Sequence, residues 1–267
     1  MEQLTIDLES RLKRSIDGLD FDRASGAYGE QNEFVFLDRF LPPEVLDQLL
    51  PEVDRARTDV HRNYIPGHKK GGSVSYYTLV RKAPVILTLY RSPAFMDFLS
   101  RLAGARLLTC PDTDPHACAL YFYTEPGDHI GFHYDTSYYK GARYTVLLGL
   151  VQRSRSQLAC QLYRGDATRE TRELSISVEP GSMIFFNGDK LYHAVTPLGE
   201  GEERVVLTLE YVTNPEMGAL RRFVSNMKDA LAYFGPGVLL RRGRFGRGGD
   251  PDVHAGGVGA PGWPHSE

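Results

Sequence analysis

"ACALYFYTEPGDHIGFHYD", residues 117–135, is the stretch on which the fold turns. It reads as two β-type runs joined through a Pro126–Gly127 turn. The same grammar continues downstream. "RYTVLLGLV" (143–151), "QLACQLY" (157–163), "ELSISVE" (173–179), "SMIFF" (182–186), "YHAVT" (192–196) and "RVVLTLEYV" (204–212) are short β-formers bounded by Gly, Pro, Asn or Asp. They follow one another without intervening helices, which excludes βαβ units and predicts an antiparallel sandwich or barrel.

If "IGFHYD" is extended, side chains alternate and His133 shares a face with Asp135. At that spacing an imidazole and a carboxylate can converge on one ion at about 2.0–2.2 Å. His129 has the same parity but lies about 13 Å away along a strand, too far to share that ion. A helical reading, in which histidines four apart do pair, is opposed by Gly131 and the Pro126–Gly127 turn. His129 is therefore expected behind the site or at the surface.

H-x-D alone is a weak signal, and three further residues strengthen it. His193, in "NGDKLYHAVTP", opens a strand after a hairpin turn. Alone it would read as a core histidine. With His133 and Asp135 it completes a 2-His-1-carboxylate set, which leaves three positions open and suits non-haem Fe(II). Arg204 enters an apolar β-run, where a guanidinium is costly to bury unless something anionic meets it. It would either pair with Glu202 or Glu203 or clamp a ligand carboxylate. Tyr123, ten residues before His133, offers a phenol to a bound acid, whereas Tyr121 reads as a packing aromatic.

The combination Y-x-x-x-G…H-x-D…H…R over residues 115–213 resembles the Fe(II)/2-oxoglutarate-dependent dioxygenases, and "YTEPGDHIGFHYD" is similar to their prolyl-hydroxylase-like branch. The resemblance implies a mainly β fold with flanking helices around a double-stranded β-helix, the jelly roll of cupin-like proteins. It also implies that His133, Asp135 and His193 bind Fe(II), with 2-oxoglutarate and O2 as co-substrates. Arg204 would hold the distal carboxylate of 2-oxoglutarate and Tyr123 would support it. Many relatives carry Ser or Thr two residues after that arginine, where this chain has Val206. Thr145 and Thr208 are the candidates for the missing donor. Halogenating relatives carry Gly or Ala at the position of Asp135, so its carboxylate favours hydroxylation. Desaturation or ring closure by the same chemistry stays open.

Outside the core, "LPPEVLDQLLPEVDRA" (41–56) puts Val45, Leu46, Leu49 and Leu50 on one helical stripe. "RSPAFMDFLSRLAG" (91–104) predicts a helix capped by Ser92, started by Pro93 and closed by Gly104. Between them "HRNYIPGHKKGGSVSYYTL" (61–79) reads as a basic, Gly-rich loop running into a strand. It and "TSYYKGARY" supply a lid and pocket rim, with Arg62, His68, Lys69, Lys70, Tyr138, Tyr139 and Arg143 as candidate substrate contacts. Such cations and phenols suit a small carboxylate-bearing substrate, a free amino acid or derivative, with a peptidyl substrate as the alternative.

"NPEMGALRRFVSNMKDALAYFG" (214–235) predicts a helix packed outside the core. The expected organisation is one dioxygenase domain over 1–240, with N-terminal support (1–115), core (116–213) and that helix. A Gly/Pro/Arg-rich flexible tail over 241–267 completes it. "RRGRFGRGG" in the tail is a single copy with one aromatic, read as solvated chain rather than a nucleic-acid-binding segment.

Composition sets the outer bounds. A net charge of −3 over 267 residues predicts neither nucleic-acid nor membrane binding. Three cysteines without CxxC spacing argue against a disulfide framework and a structural zinc site. A charged start without an apolar core is not a secretory signal, so a cytoplasmic setting is expected. Two other classes remain, a catalytically silent ligand-binding sandwich and a zinc hydrolase. The intact constellation opposes the first. No Glu stands beside a ligand histidine to serve the second as general base.

Overall fold

The computed structural model describes residues 2–217. Its helices are α1 (Glu2–Asp17), α2 (Phe21–Glu30), α3 (Pro43–Ala56), α4 (Tyr76–Lys82), α5 (Pro84–Tyr90) and α6 (Pro93–Ala103). The first strands are β1 (Phe34–Leu37), β2 (His61–Ile65), β3 (Lys69–Val74), β4 (Leu108–Thr109), β5 (Cys118–Tyr123) and β6 (His129–His133). They are followed by β7 (Arg143–Arg153), β8 (Leu158–Leu162), β9 (Arg172–Ile176), β10 (Met183–Asn187), β11 (Tyr192–Val195) and β12 (Glu203–Val212).

Local chemistry explains the helices that sequence predicts. In α6 the Ser92 hydroxyl accepts a hydrogen bond from Phe95 N at 3.1 Å, and Pro93 occupies the first turn, where a missing N–H costs nothing. Gly104 ends it at φ 62°, a left-handed conformation that a side chain would penalise. α3 buries Val45, Leu49 and Val53 as one stripe.

Every strand pairing is antiparallel, along the path β1-β10-β7-β12-β5-β3-β6-β11-β8-β9. β3 makes the corner, with Gly72–Val74 on β5 and Lys69–Lys70 on β6. The path folds back on itself, so Ile130, Leu158, Cys160 and Val195 from one side meet Tyr123, Leu147, Ile184 and Val206 from the other in one buried cluster. This is the double-stranded β-helix. The opposite face of the larger sheet packs Val146, Leu148, Phe185, Leu207 and Leu209 against Leu8, Leu12, Val45 and Phe95 of the helices. Alternation along a strand thus serves two apolar layers instead of one layer and water.

Residues 61–79 depart from expectation. Instead of a loop and a strand, they form the β2–β3 hairpin followed by α4. The Gly-rich composition disfavours a strand locally, but pairing with β2, β5 and β6 supplies the hydrogen bonds that make it one. The N-terminal segment therefore contributes β1, β2 and β3 to the sheet as well as helices. Beyond Met217, the predicted 214–235 helix and the 241–267 tail lie outside the described residues. Among the described residues no helix is long and apolar enough to cross a membrane.

Candidate metal and co-substrate site

His133 closes β6, and Asp135 lies two residues beyond it as the chain leaves the sheet. His193 sits on β11 directly opposite His133 in the antiparallel register. One ligand atom from each of the three falls within 4.8 Å of the others, the group of this kind found among the described residues. Asp135 Oδ1 is 3.4 Å from His133 Nε2, and Oδ2 is 3.8 Å from His193 Nε2. The backbone orients both rings. His133 Nδ1 lies 2.8 Å from Gly131 O and His193 Nδ1 3.2 Å from Leu191 O. A carbonyl only accepts, so each Nδ1 carries the proton and each Nε2 is left with a lone pair for a metal.

Electrostatics favour that state at His193 and oppose it at His133, whose second proton a bound metal ion would displace. Burial pushes the His193 imidazole down to about 4, with His133 adding to the effect, so the ring is neutral at neutral pH. Burial also weighs against a charged His133, but the hydrogen bond and charge of Asp135 outweigh it and hold its pKa above the usual value. Burial would raise Asp135, yet His193, His133 and Arg143 overcome it and keep the carboxylate ionised. Two neutral imidazoles and one carboxylate are the donor set for a divalent ion such as Fe(II).

His129 stands apart from this cluster, with its Nδ1 2.8 Å from Gly127 O. Gly188, in the turn before β11, has a role beyond turning. A Cβ there would lie 2.4 Å from the Asp135 carbonyl oxygen. Gly188→Ala is expected to push Asp135 out of place. The predicted loss is about 10–100-fold in Co(II) or Fe(II) affinity, for about 1–3 kcal/mol of stability, read by metal titration and thermal melting.

The triad opens into a cavity of about 430 Å³ whose walls include Tyr121, Tyr123, Arg204, Val206, Thr208 and Glu210. On β12 the inward positions 204, 206, 208 and 210 line this cavity, while Val205, Leu207, Leu209 and Tyr211 face the helices. Arg204 is 1 % exposed, and its Nε and Nη1 have no hydrogen-bond partner among the described residues. The carboxylates expected as alternatives are taken: Glu202 accepts from Gly199 N and Arg155, and Glu203 pairs with Arg57 and Arg153. Burial weighs against the Arg204 charge and lowers its pKa. Tyr123, its register partner on β5, lies beneath the guanidinium with the ring centroid 5.7 Å away. Tyr121, expected only to pack, also lines the cavity.

Other expected contacts divide. His68, Tyr138 and Arg143 line the cavity. Arg62, Lys69 and Tyr139 are not among the residues that line it. Arg62 makes two hydrogen bonds to fully buried Asp128, at 2.7 and 2.6 Å, which tie the β2–β3 hairpin to the β5–β6 turn. Lys69 is wholly buried, its Nζ 4.5 Å from the Tyr121 ring centroid. The Tyr139 hydroxyl donates to Asp114 at 2.6 Å. Arg62 and Lys69 lie on the paired strands β2 and β3, and Tyr139 lies in the segment between β6 and β7. Thr145 meets the triad: its hydroxyl lies 2.9 Å from Asp135 Oδ2 and 3.0 Å from Glu210 Oε2. Of the two threonines considered beside Arg204, Thr208 is the one that lines the cavity.

Glu210 and His116 are cavity residues that sequence reasoning missed. Glu210 was legible, since an acid inside an apolar run at the parity of Arg204 must share its face. Arg143 Nε donates to it at 2.8 Å, and burial pushes its carboxyl up to about 7 against that pairing. His116 precedes β5 in an irregular segment and carried no periodic signal.

Solved structures place this architecture. A prolyl hydroxylase from Trichoplax adhaerens in complex with a hypoxia-inducible-factor peptide matches with TM-score 0.59 and 15% identity, over 82% of this chain and 96% of that one. The epimerase SnoN of nogalamycin biosynthesis, in complex with Fe3+, alpha-ketoglutarate and nogalamycin RO, matches at 0.57 and 16%, over 72% and 83%. A 2OG-Fe(II) oxygenase-family oxidoreductase from Burkholderia pseudomallei matches at 0.55 and 15%, over 76% and 94%. The chain has the fold of the Fe(II)/2-oxoglutarate-dependent oxygenases. Residues 21–141, less than half of the chain, match the family described as Halogenase D. No curated protein matches the sequence.

Proposed function

We propose that this protein is an Fe(II)- and 2-oxoglutarate-dependent oxygenase that hydroxylates an unactivated C–H bond of a small substrate, a free amino acid or a derivative of one. The observation that carries the reading is Arg204, a buried guanidinium with two orphaned donors in the same cavity as a 2-His-1-carboxylate triad. An uncompensated buried charge is expensive, so the site is built for an anion that arrives later. A dicarboxylate answers it, one end on the guanidinium fork and the other at the metal.

Bound iron with 2-oxoglutarate and O2 supplies the oxidant, with succinate and CO2 as co-products. His133, Asp135 and His193 would hold the ion through three positions and leave three for the co-substrates. Arg204 orients 2-oxoglutarate, and Tyr123, Ile130, Leu147 and Val206 keep water from its methylenes. Asp135 retains a carboxylate where halogenating relatives of this pattern have none, which supports hydroxylation although residues 21–141 match the Halogenase D family.

Three features support a small substrate. The cavity of about 430 Å³ lies toward the low end of ligand pockets. The β2–β3 hairpin is tied down by Arg62–Asp128 rather than left as an open groove. His68, His116 and Tyr138 add polar groups to a wall that is otherwise largely apolar, which suits a small polar substrate. A peptide substrate, as carried by the Trichoplax neighbour, is the second reading.

The test is an anaerobic Fe(II) titration with and without 2-oxoglutarate, followed by a succinate-release screen over free amino acids and short peptides. A visible metal-to-ligand band that requires both components, and succinate release stimulated by a free amino acid, are the expected results. Absence of the band would overturn the oxygenase reading. Stimulation by peptides alone would overturn the substrate class.

A further inference from the structure

Thr145 stands beside the triad without being one of its ligands. Its side chain is fully buried on β7, at the register position facing Glu210 of β12 and Phe186 of β10. The hydroxyl has one proton and faces two carboxyl oxygens, Asp135 Oδ2 at 2.9 Å and Glu210 Oε2 at 3.0 Å. The Glu210 oxygen is the same atom that Arg143 Nε supplies at 2.8 Å. Asp135 Oδ2 receives no other hydrogen bond among the described residues. The Thr145 proton therefore has its better acceptor in Asp135, and Glu210, held in place by Arg143, keeps the hydroxyl turned that way.

We infer that Thr145 is a positioning residue: its hydroxyl pins Oδ2 of Asp135, so that the carboxylate meets a metal through Oδ1 alone. The inference rests on the proposed metal site. Asp135 needs such a restraint because it has left the sheet. His133 and His193 have their rings fixed by backbone carbonyls on paired strands, whereas Asp135 follows the end of β6 and has no ladder of its own. A carboxylate free to rotate can take two metal positions instead of one. A three-ligand face that must leave three positions for co-substrates has no room for that. The Arg143–Glu210–Thr145 chain crosses from β7 to β12 and back, so the restraint belongs to the rigid part of the barrel.

Thr145→Val keeps the shape and removes the hydroxyl, and Thr145→Ser keeps the hydroxyl. Both are compared with the wild-type chain by titration with Co(II) alone, reading affinity and the ligand-field spectrum, without co-substrate or turnover. Thr145→Val is expected to bind Co(II) about 10–100-fold more weakly, with a spectrum changed in coordination number, and Thr145→Ser to restore both. Thermal melting of the metal-free proteins is run in parallel. If Thr145→Val does not fold, Thr145→Cys, similar in volume and a far weaker donor, takes its place with the same expectation. Wild-type affinity and spectrum in the Val or Cys variant would overturn the positioning role and leave the metal site standing. Failure of the wild-type chain to bind Co(II) would overturn both.

Discussion

His193→Ala is expected to abolish Fe(II)-dependent succinate formation, a loss of about a thousandfold or more, equivalent to about 4 kcal/mol of lost transition-state stabilisation. The ring is buried, neutral, and held by Leu191 O so that Nε2 faces Asp135 and His133. Removing it leaves two ligands on neighbouring positions of one chain segment and nothing opposite them. The structural cost is smaller. His193 packs on the Phe186 ring at 5.0 Å and on His133 at 4.3 Å, and losing those contacts is expected to cost about 1–3 kcal/mol, since β11 stays paired with β6 and β8. Circular dichroism should be unchanged while Fe(II) binding, read by anaerobic titration, falls away. Wild-type turnover in this variant would remove His193 from the metal site.

Arg204 carries the second large effect, and two substitutions separate its parts. Arg204→Lys keeps a charge but loses the planar fork, so one charge-assisted hydrogen bond of about 1.5–3 kcal/mol is lost. The 2-oxoglutarate concentration for half-maximal rate should rise about 10–100-fold, with little change in Fe(II) affinity. Arg204→Met removes the charge and fills the space with an apolar chain. A buried guanidinium with two unmet donors among the described residues destabilises the ligand-free protein, so its removal should stabilise that form by about 1–4 kcal/mol. At the same time the stabilisation that 2-oxoglutarate gives the metal-loaded wild type, about 2.7 kcal/mol at a hundredfold excess over Kd, should vanish. Melting temperatures would then move in opposite directions, up for the free variant and no longer up with ligand. A free Arg204→Met protein that melts below wild type would mean that the guanidinium is satisfied by the protein itself.

These predictions depend on residues of unequal visibility in the sequence. The β-runs from 117 to 212 were legible because β-formers, turn residues and strand lengths agree over eight consecutive segments. The spacing of His133 and Asp135 and the arrival of His193 and Arg204 in later strands were legible for the same reason, since a strand's parity says which side chains travel together. The β2–β3 hairpin was not, because the glycines and lysines of β3 are held as a strand by β5 and β6, which lie far along the chain, as well as by neighbouring β2. Arg62 shows the consequence. From sequence it is a loop cation that could greet a substrate, and in the fold it is consumed by Asp128.

By itself, then, the chain's sequence determined the strand pattern, the antiparallel class and the residues able to hold a ferrous ion and a dicarboxylate, because these follow from local periodicity and side-chain chemistry. Tertiary structure alone decided which polar groups face the cavity and which are spent on one another. Thr145, Glu210 and Arg143 are joined only when β7 and β12 pair, and Arg204 keeps two unmet donors among the described residues while Glu202 and Glu203 pair with other arginines. Partnership between distant side chains is set by strand register, and register is a property of the closed sheet rather than of any one strand.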